Sequence, residues 1–275
     1  MIGSSDRDAM YAKKSLGQNF LMHARIAERI AISADITPSS TVFEIGPGTG
    51  MLTRELLKLA KKVIALEADQ ELFDALQESF ADEIAAGRLE LISGDIRAFA
   101  IETLPQGYLL VANIPYYLTG EIFRMFLEAE NQPSSMTLLV QKEVAERIAP
   151  RQLSSRAAGR TAGGGFRRSS KESILSLSVK VYGAPKYEFT VPRGAFRPAP
   201  NVDSAVLTVR NISRKNFASR PEEELFFTLL HAGFAHKRKF VRKNLRDAGL
   251  PCGDIPEKAR AEDLSLATWF SVLRS

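Results

Sequence analysis

Glu44-Ile45-Gly46-Pro47-Gly48-Thr49-Gly50 closes the apolar run Thr41–Ile45 and opens a segment of helical spacing, Met51–Ala60, with Leu52, Leu56 and Leu59 on one side. Strand, glycine loop and helix in that order predict the first unit of an α/β sheet. Glycines let the backbone turn sharply and approach a ligand without a Cβ in the way, so Gly46, Gly48 and Gly50 are candidate ligand contacts. Their spacing is G-x-G-x-G and not the dinucleotide G-x-G-x-x-G, so the motif alone decides little. Outward from it, strand-like runs at Lys62–Glu67, Arg88–Ile92, Tyr108–Ala112 and Met136–Gln141 alternate with helical stretches at Gln70–Phe80 and Gly120–Glu130. That alternation predicts a parallel sheet with helices on both faces and ligands beyond the carboxyl ends of its strands.

Two carboxylates fall at such ends. Glu67 closes the second strand and suits a pair of ribose hydroxyls; Asp95, in Ser93-Gly94-Asp95 after the third, suits an adenine amino group. The alternative reading of each is a helix cap or turn acid. With the glycine loop, on three successive strand ends and with no pyrophosphate cradle, they point to S-adenosylmethionine and away from NAD.

Asn113-Ile114-Pro115-Tyr116 follows the fourth strand. Pro115 fixes its own φ and holds Ile114 extended, so the loop is stiff. The side-chain oxygen of Asn113 and the carbonyl of Ile114 can accept both hydrogens of an exocyclic amine, and Tyr116 offers a face for the base. An amine attacking a methyl on positive sulfur needs alignment more than acid–base help. A paired adenine cannot present that amine, so the substrate must be flipped or unpaired. Phe196, in Phe196-Arg197-Pro198-Ala199-Pro200, reads either as a second aromatic wall or as a core residue.

Charge is unevenly distributed. The chain carries +5, yet Arg147–Lys171 and Arg210–Arg246 carry +7 each, leaving −9 elsewhere. Two basic segments on an acidic body predict a polyanionic partner. Lys239, Arg242, Lys243 and Arg246, spaced for one helical face, are candidate phosphate contacts; the alternative is a solvated face. No apolar run reaches the ~18 residues of a membrane span, and the start of the chain reads as neither signal nor transit peptide. Cys252, alone, excludes an internal disulfide and fits a cytoplasmic protein. His23, His231 and His236 have no metal-ligand spacing with one another or with Cys252, so no metal is expected.

Residues 150–171, rich in Arg, Ser and Gly, read as a mobile basic loop. Beyond it come a helix at Ile174–Val181, two strands at Tyr187–Val191 and Val202–Val209 joined by a Pro-rich turn, and helices at Glu222–Phe234, Lys237–Ala248 and from Ser265. The expected division is a methyltransferase domain over 1–210 and a small helical RNA-binding domain over 211–275.

These residues resemble one family along nearly the whole chain. Lys14–Leu21, Glu44–Gly50, Asn113–Tyr116, Gln141–Arg147, Phe196–Ser204 and Arg260–Ser265 are similar to runs in the ribosomal RNA adenine dimethyltransferases of the KsgA type. The resemblance implies a Rossmann-like S-adenosylmethionine-dependent methyltransferase domain with a small C-terminal all-helical domain. It implies Asn19 and Leu21 as closers of the cofactor pocket, with Gly46, Glu67, Asp95 and Asn113 as further contacts. The implied substrate is a pair of adjacent adenosines in the 3′-terminal hairpin loop of small-subunit (16S) rRNA, each dimethylated. The implied partner is a 30S assembly intermediate, met late in assembly by a monomeric enzyme. Where relatives often carry an aromatic residue, Leu16 stands here; the stretch after Arg147 is longer than usual, and the customary Tyr-Gly is missing around Ser173. The alternatives are an erythromycin-resistance type methyltransferase of large-subunit rRNA and a mainly non-catalytic assembly factor on the same fold. Asp203, the helical ending and intact Glu67, Asp95 and Asn113–Tyr116 count against them.

Overall fold

The computed structural model describes residues 18–150 and 171–275. The Lys14–Gly17 part of the N-terminal motif and nearly all of the expected loop at 150–171 lie outside the described residues. Two compact units emerge: the described residues up to Ala145 with Ala184–Ile212, and those of Glu146–Gly183 with Ser213–Ser275.

The first unit is built on a seven-stranded sheet. Its strands are β1 (Thr41–Ile45), β2 (Lys62–Glu67), β3 (Leu89–Ser93), β4 (Leu109–Asn113), β5 (Ser135–Gln141), β6 (Ala184–Val191) and β7 (Ser204–Arg210), in the order β3-β2-β1-β4-β5-β7-β6. The first five pair in parallel and the last two antiparallel. Parallel neighbours need long crossovers, here through helices; β6 and β7 return through the Pro-rich loop and must run antiparallel. Register sets the site. Ile45 pairs with both Leu66 and Ala112, so Glu67 and Asn113 each extend one residue beyond that row, level with Gly46.

Side chains alternate across β1. Val42 joins Val63, Val111 and Leu139 in a core with Ile30 of α1 (Ala24–Ser33) and Leu56 of α2 (Met51–Leu59). Phe43 enters the opposite face, its ring 5.0 Å from that of Phe99 and 6.0 Å from that of Phe126 on α5 (Thr119–Glu128). A strand buried on both faces reads as a continuous apolar run, as β1 does apart from Glu44. The β2–β3 crossover carries α3 (Gln70–Ser79), capped by Asp69, and the short α4 (Ala81–Ala85); α6 (Lys142–Ile148) follows β5. Helix α1 lies beyond the sequence-based expectations; its buried stripe, Ala27, Ile30 and Ala31, lies opposite exposed Arg25, Glu28 and Arg29.

The second unit holds α7 (Ile174–Tyr182), α8 (Arg220–Phe234), α9 (Val241–Asp247) and α10 (Leu266–Leu273). A boundary near 211 assigns α7 to the first domain. It clusters instead with the C-terminal helices, because the Tyr182 ring stacks on Phe227 at 6.0 Å and its hydroxyl donates to buried Glu223. The expected helix at Lys237–Ala248 starts only at Val241. Phe240 is extended (φ −69°, ψ 142°), and the Val241 N–H donates to Ala259 O at 2.9 Å. Lys239 therefore precedes α9 and does not share its face with Arg242, Lys243 and Arg246. Phe240 is 45% exposed.

Phe43 is fully buried among three aromatic rings. Truncating such a ring loses transfer free energy and leaves a cavity, so Phe43→Ala is expected to cost about 3–5 kcal/mol. Urea unfolding checks this through a lowered midpoint at unchanged slope.

Candidate functional site

One cavity in the first unit lies at the carboxyl ends of β1, β2, β3 and β4. It is lined by Asn19, Leu21, Gly46, Gly48, Glu67, Asp95, Asn113, Ile114, Pro115, Tyr116 and Phe196 among others. Every residue expected at a catalytic or cofactor position is there except Gly50.

The glycine loop shows why. Gly46, Gly48 and Gly50 all have φ between 59° and 76°, a conformation that side chains resist. A Cβ on Gly46 would meet nothing within 4 Å, which leaves that backbone open to a ligand. A Cβ on Gly48 would lie 3.1 Å from the Phe20 ring, and one on Gly50 would lie 2.5 Å from Phe80. Gly50 thus starts α2 and makes room for Phe80, rather than facing the cavity. Of the residues expected to contact a cofactor, it alone is absent from the cavity lining.

Glu67 holds the loop in place. Its side chain is 4% exposed, Oε2 accepts from Gly48 N at 3.0 Å, and Oε1 accepts from Asp69 N at 2.9 Å. Burial raises its pKa, and these backbone donors offset part of the rise. The Ala68 N–H is a third backbone donor to the carboxylate, which leaves it room to accept from a hydroxyl. Asp95 caps the turn Ile96–Ala98 by accepting from Arg97 N at 2.9 Å, and it also lines the cavity.

Asn113 Nδ2 donates to the backbone carbonyl of Asn19 at 3.1 Å. With the amide nitrogen so engaged, its oxygen is held on the opposite side of the group as an acceptor. Asn19 contributes through its backbone, a role no side-chain motif announces. The next residues, Phe20–Leu21, form a two-residue antiparallel ribbon with Phe196–Arg197, in which Leu21 pairs with Phe196. Phe196 is 3% exposed, so it belongs to the core and lines the cavity together. Tyr116 is fixed at its far end by a hydrogen bond of 2.7 Å between its hydroxyl and that of Ser204. Burial lifts its pKa above the ordinary phenol value, so the ring stays neutral.

Arg97, Tyr117 and Glu44 are among the lining residues that the sequence-based expectations do not include. Arg97 grips Glu121 of α5 with two hydrogen bonds, at 2.9 and 3.1 Å, tying the Asp95 turn to that helix. Tyr117, 58% exposed, stands beside Tyr116. Glu44 is 1% exposed in the central strand, and its Oε2 has no hydrogen-bond partner among the described residues. Desolvation pushes its pKa from 4.5 to about 8, with the Thr53 hydroxyl opposing and Glu67 reinforcing. A carboxylate inside Thr-Val-Phe-Glu-Ile was a visible anomaly, since buried charges are rarely left unpaired.

The basic candidates lie in the second unit. Lys239, Lys243 and Arg246 are exposed, whereas Arg242 is half-buried. Among the described residues no cluster of three His, Cys, Asp or Glu is arranged to hold a metal ion, and no helix is long and apolar enough to cross a membrane.

A family described as "Ribosomal RNA adenine dimethylase" matches residues 9–273. Proteins named "Ribosomal RNA small subunit methyltransferase A" are similar across most of their length. That of Dehalococcoides mccartyi is 38% identical over 271 residues, covering 94% of this chain and 86% of the relative. That of Fusobacterium nucleatum is 32% identical over 275 residues, covering 95% and 96%. Among solved structures, the 23S rRNA methyltransferase ErmE superposes with a TM-score of 0.71 at 24% identity, covering 93% of this chain and 98% of that one. A dimethyladenosine transferase from Plasmodium falciparum gives 0.69 at 24% identity, covering 92% and 95%. At that identity the two structures establish the fold, a Rossmann-like methyltransferase sheet.

Glu44 also yields a pH test. A carboxyl whose folded pKa lies above its unfolded one contributes stability that is complete below the unfolded value and lost as pH rises through the folded one. The lost stability therefore accumulates between about pH 4.5 and 8. Gln at this position cannot ionise. Thermal melts of Glu44→Gln and the parent should diverge in favour of the variant from pH 6 to pH 9; parallel curves would show that Glu44 is ionised throughout.

Proposed function

Because the chain belongs to the ribosomal RNA adenine dimethylase family, we propose that it dimethylates two adjacent adenosines in the 3′-terminal hairpin loop of small-subunit (16S) rRNA. The methyl donor in this reading is S-adenosylmethionine, and the protein acts as a cytoplasmic monomer, without a metal, on a late 30S assembly intermediate. The relatives' shared name supports the small-subunit substrate over the large-subunit alternative. The observation that carries the chemistry is the Asn113 amide, pinned through its nitrogen with its oxygen left to accept.

The cavity fits such a donor. Gly46 presents open backbone, Glu67 has lone pairs for ribose hydroxyls, and the unpartnered Oε2 of buried Glu44 suits a cationic ligand. When bound, S-adenosylmethionine supplies a methyl group activated by positive sulfur. All else falls to the chain. Asn113 Oδ1 and the Ile114 carbonyl each accept one hydrogen of the target amine, which turns the nitrogen lone pair out of conjugation with the ring and toward the cavity. Tyr116, anchored through Ser204, and buried Phe196 offer apolar walls for a flipped adenine; base–aromatic stacking is worth about 1–3 kcal/mol. Fixing one nucleophile beside one electrophile accounts for the rate through proximity and desolvation. A second transfer needs only one N–H acceptor contact, so the same pair of acceptors serves both rounds. Phosphates are held by Lys239, Arg242, Lys243 and Arg246 in this reading, with Arg242 the least accessible of the four.

Incubating the protein with labelled S-adenosylmethionine and under-methylated small subunits should place label in the 3′-terminal hairpin, as dimethyladenosine, on digestion and mass analysis. Label entering large-subunit rRNA instead would overturn the substrate assignment, and no label in either would favour the non-catalytic assembly factor.

A further inference from the structure

Phe240 stands out in the second unit as an exposed aromatic side chain set in a run of cations. It is 45% exposed, and no other aromatic of the unit's described residues is comparably open. From Ala235 to Arg246 the chain carries six Lys/Arg and no Asp or Glu. Lys237, Arg238, Lys239, Lys243 and Arg246 are all exposed.

The ring is mounted on stiff backbone. Asn244, 3% exposed, donates through Nδ2 to Gly233 O at 2.7 Å and His236 O at 3.3 Å, clamping both sides of the turn. Lys239 N donates to His236 O at 3.0 Å, Lys243 N to Phe240 O at 3.1 Å, and Val241 N to Ala259 O at 2.9 Å. An apolar ring presented to water on a preorganised turn loses little entropy when something covers it.

We propose that Phe240 is a stacking platform for an unpaired base of the bound RNA, with the cations on either side of it engaging the neighbouring phosphates. The proposal rests on the rRNA reading above and adds a contact outside the catalytic cavity. A nucleotide joins a flat π face to an anionic group a few ångströms away, and an aromatic ring flanked by lysines and arginines complements both parts. A lipid surface fits less well. The apolar residues of α9, Val241 and Leu245, are fully buried within the unit, so the helix has no apolar face to insert.

The test uses the full chain and under-methylated small subunits. Phe240→Ala should weaken binding about 5- to 150-fold while leaving the salt dependence unchanged. Phe240→Tyr and Phe240→Trp should bind as the parent does. Trp269, the chain's single tryptophan, is fully buried, so the new indole of Phe240→Trp reports separately, and its emission should be quenched when small subunits are added. Lys239→Ala or Lys243→Ala should instead lower the salt slope by about one. Binding by Phe240→Ala within twofold of the parent, with no quenching in Phe240→Trp, would overturn the stack. So would a Phe240→Ala defect seen on anionic vesicles and not on RNA. The parent's methyl transfer, measured alongside, separates the two ideas: transfer with an inert Phe240 removes only the platform, whereas no transfer to small-subunit RNA removes the functional reading itself.

Discussion

A hydrogen bond of 3.1 Å from the Asn113 amide to the backbone of Asn19 joins residues 94 apart in the chain. It fixes the orientation of the amide, because the nitrogen that donates to Asn19 leaves the side-chain oxygen on the other side of the group as an acceptor. It also ties the end of β4 to the segment that opens the described chain. That segment pairs at once with Phe196–Arg197, bringing Leu21 and Phe196 to the same cavity. Tyr116 is held from yet another strand, through Ser204 of β7. Four stretches distant in sequence thus shape one cavity, and the antiparallel end of the sheet becomes part of the site as well as its edge.

The glycine loop poses an electrostatic problem that the fold solves only in part. Two carboxyl groups, Glu44 and Glu67, are buried, and the charge of Glu67 adds to the cost of ionising Glu44. Glu67 is compensated by backbone donors from Gly48 and Asp69, so it supports the loop. Glu44 has the Thr53 hydroxyl alone to oppose its desolvation, and its pKa is pushed up to about 8. An unmet polar group in the central strand costs stability, and such costs are retained where a ligand can meet them.

Much of this architecture was legible in the sequence. β1 and β2 match their expected bounds because continuous β-branched and aromatic runs there end at a glycine loop and a carboxylate. Asn113, Tyr116, Glu67 and Asp95 were found because strand ends are where the chemistry of such sheets collects. What stayed hidden has physical reasons. The backbone of Asn19 acts where sequence motifs speak only of side chains. Gly50 shares its neighbours' positive φ yet serves packing against Phe80, a distinction only coordinates draw. The helical spacing of Lys239 and Arg242 was misleading, because the Val241–Ala259 hydrogen bond starts the helix after Lys239.

In the proposed function the Asn113 oxygen orients the amine and does little to hold the RNA. Single-turnover methyl transfer and RNA affinity, measured together on Asn113→Ala, separate those two roles. The expected result is a transfer rate lower by about 100-fold or more, as misaligned reactants show, with RNA affinity close to that of the parent. A variant that transfers methyl groups at the parental rate would contradict it.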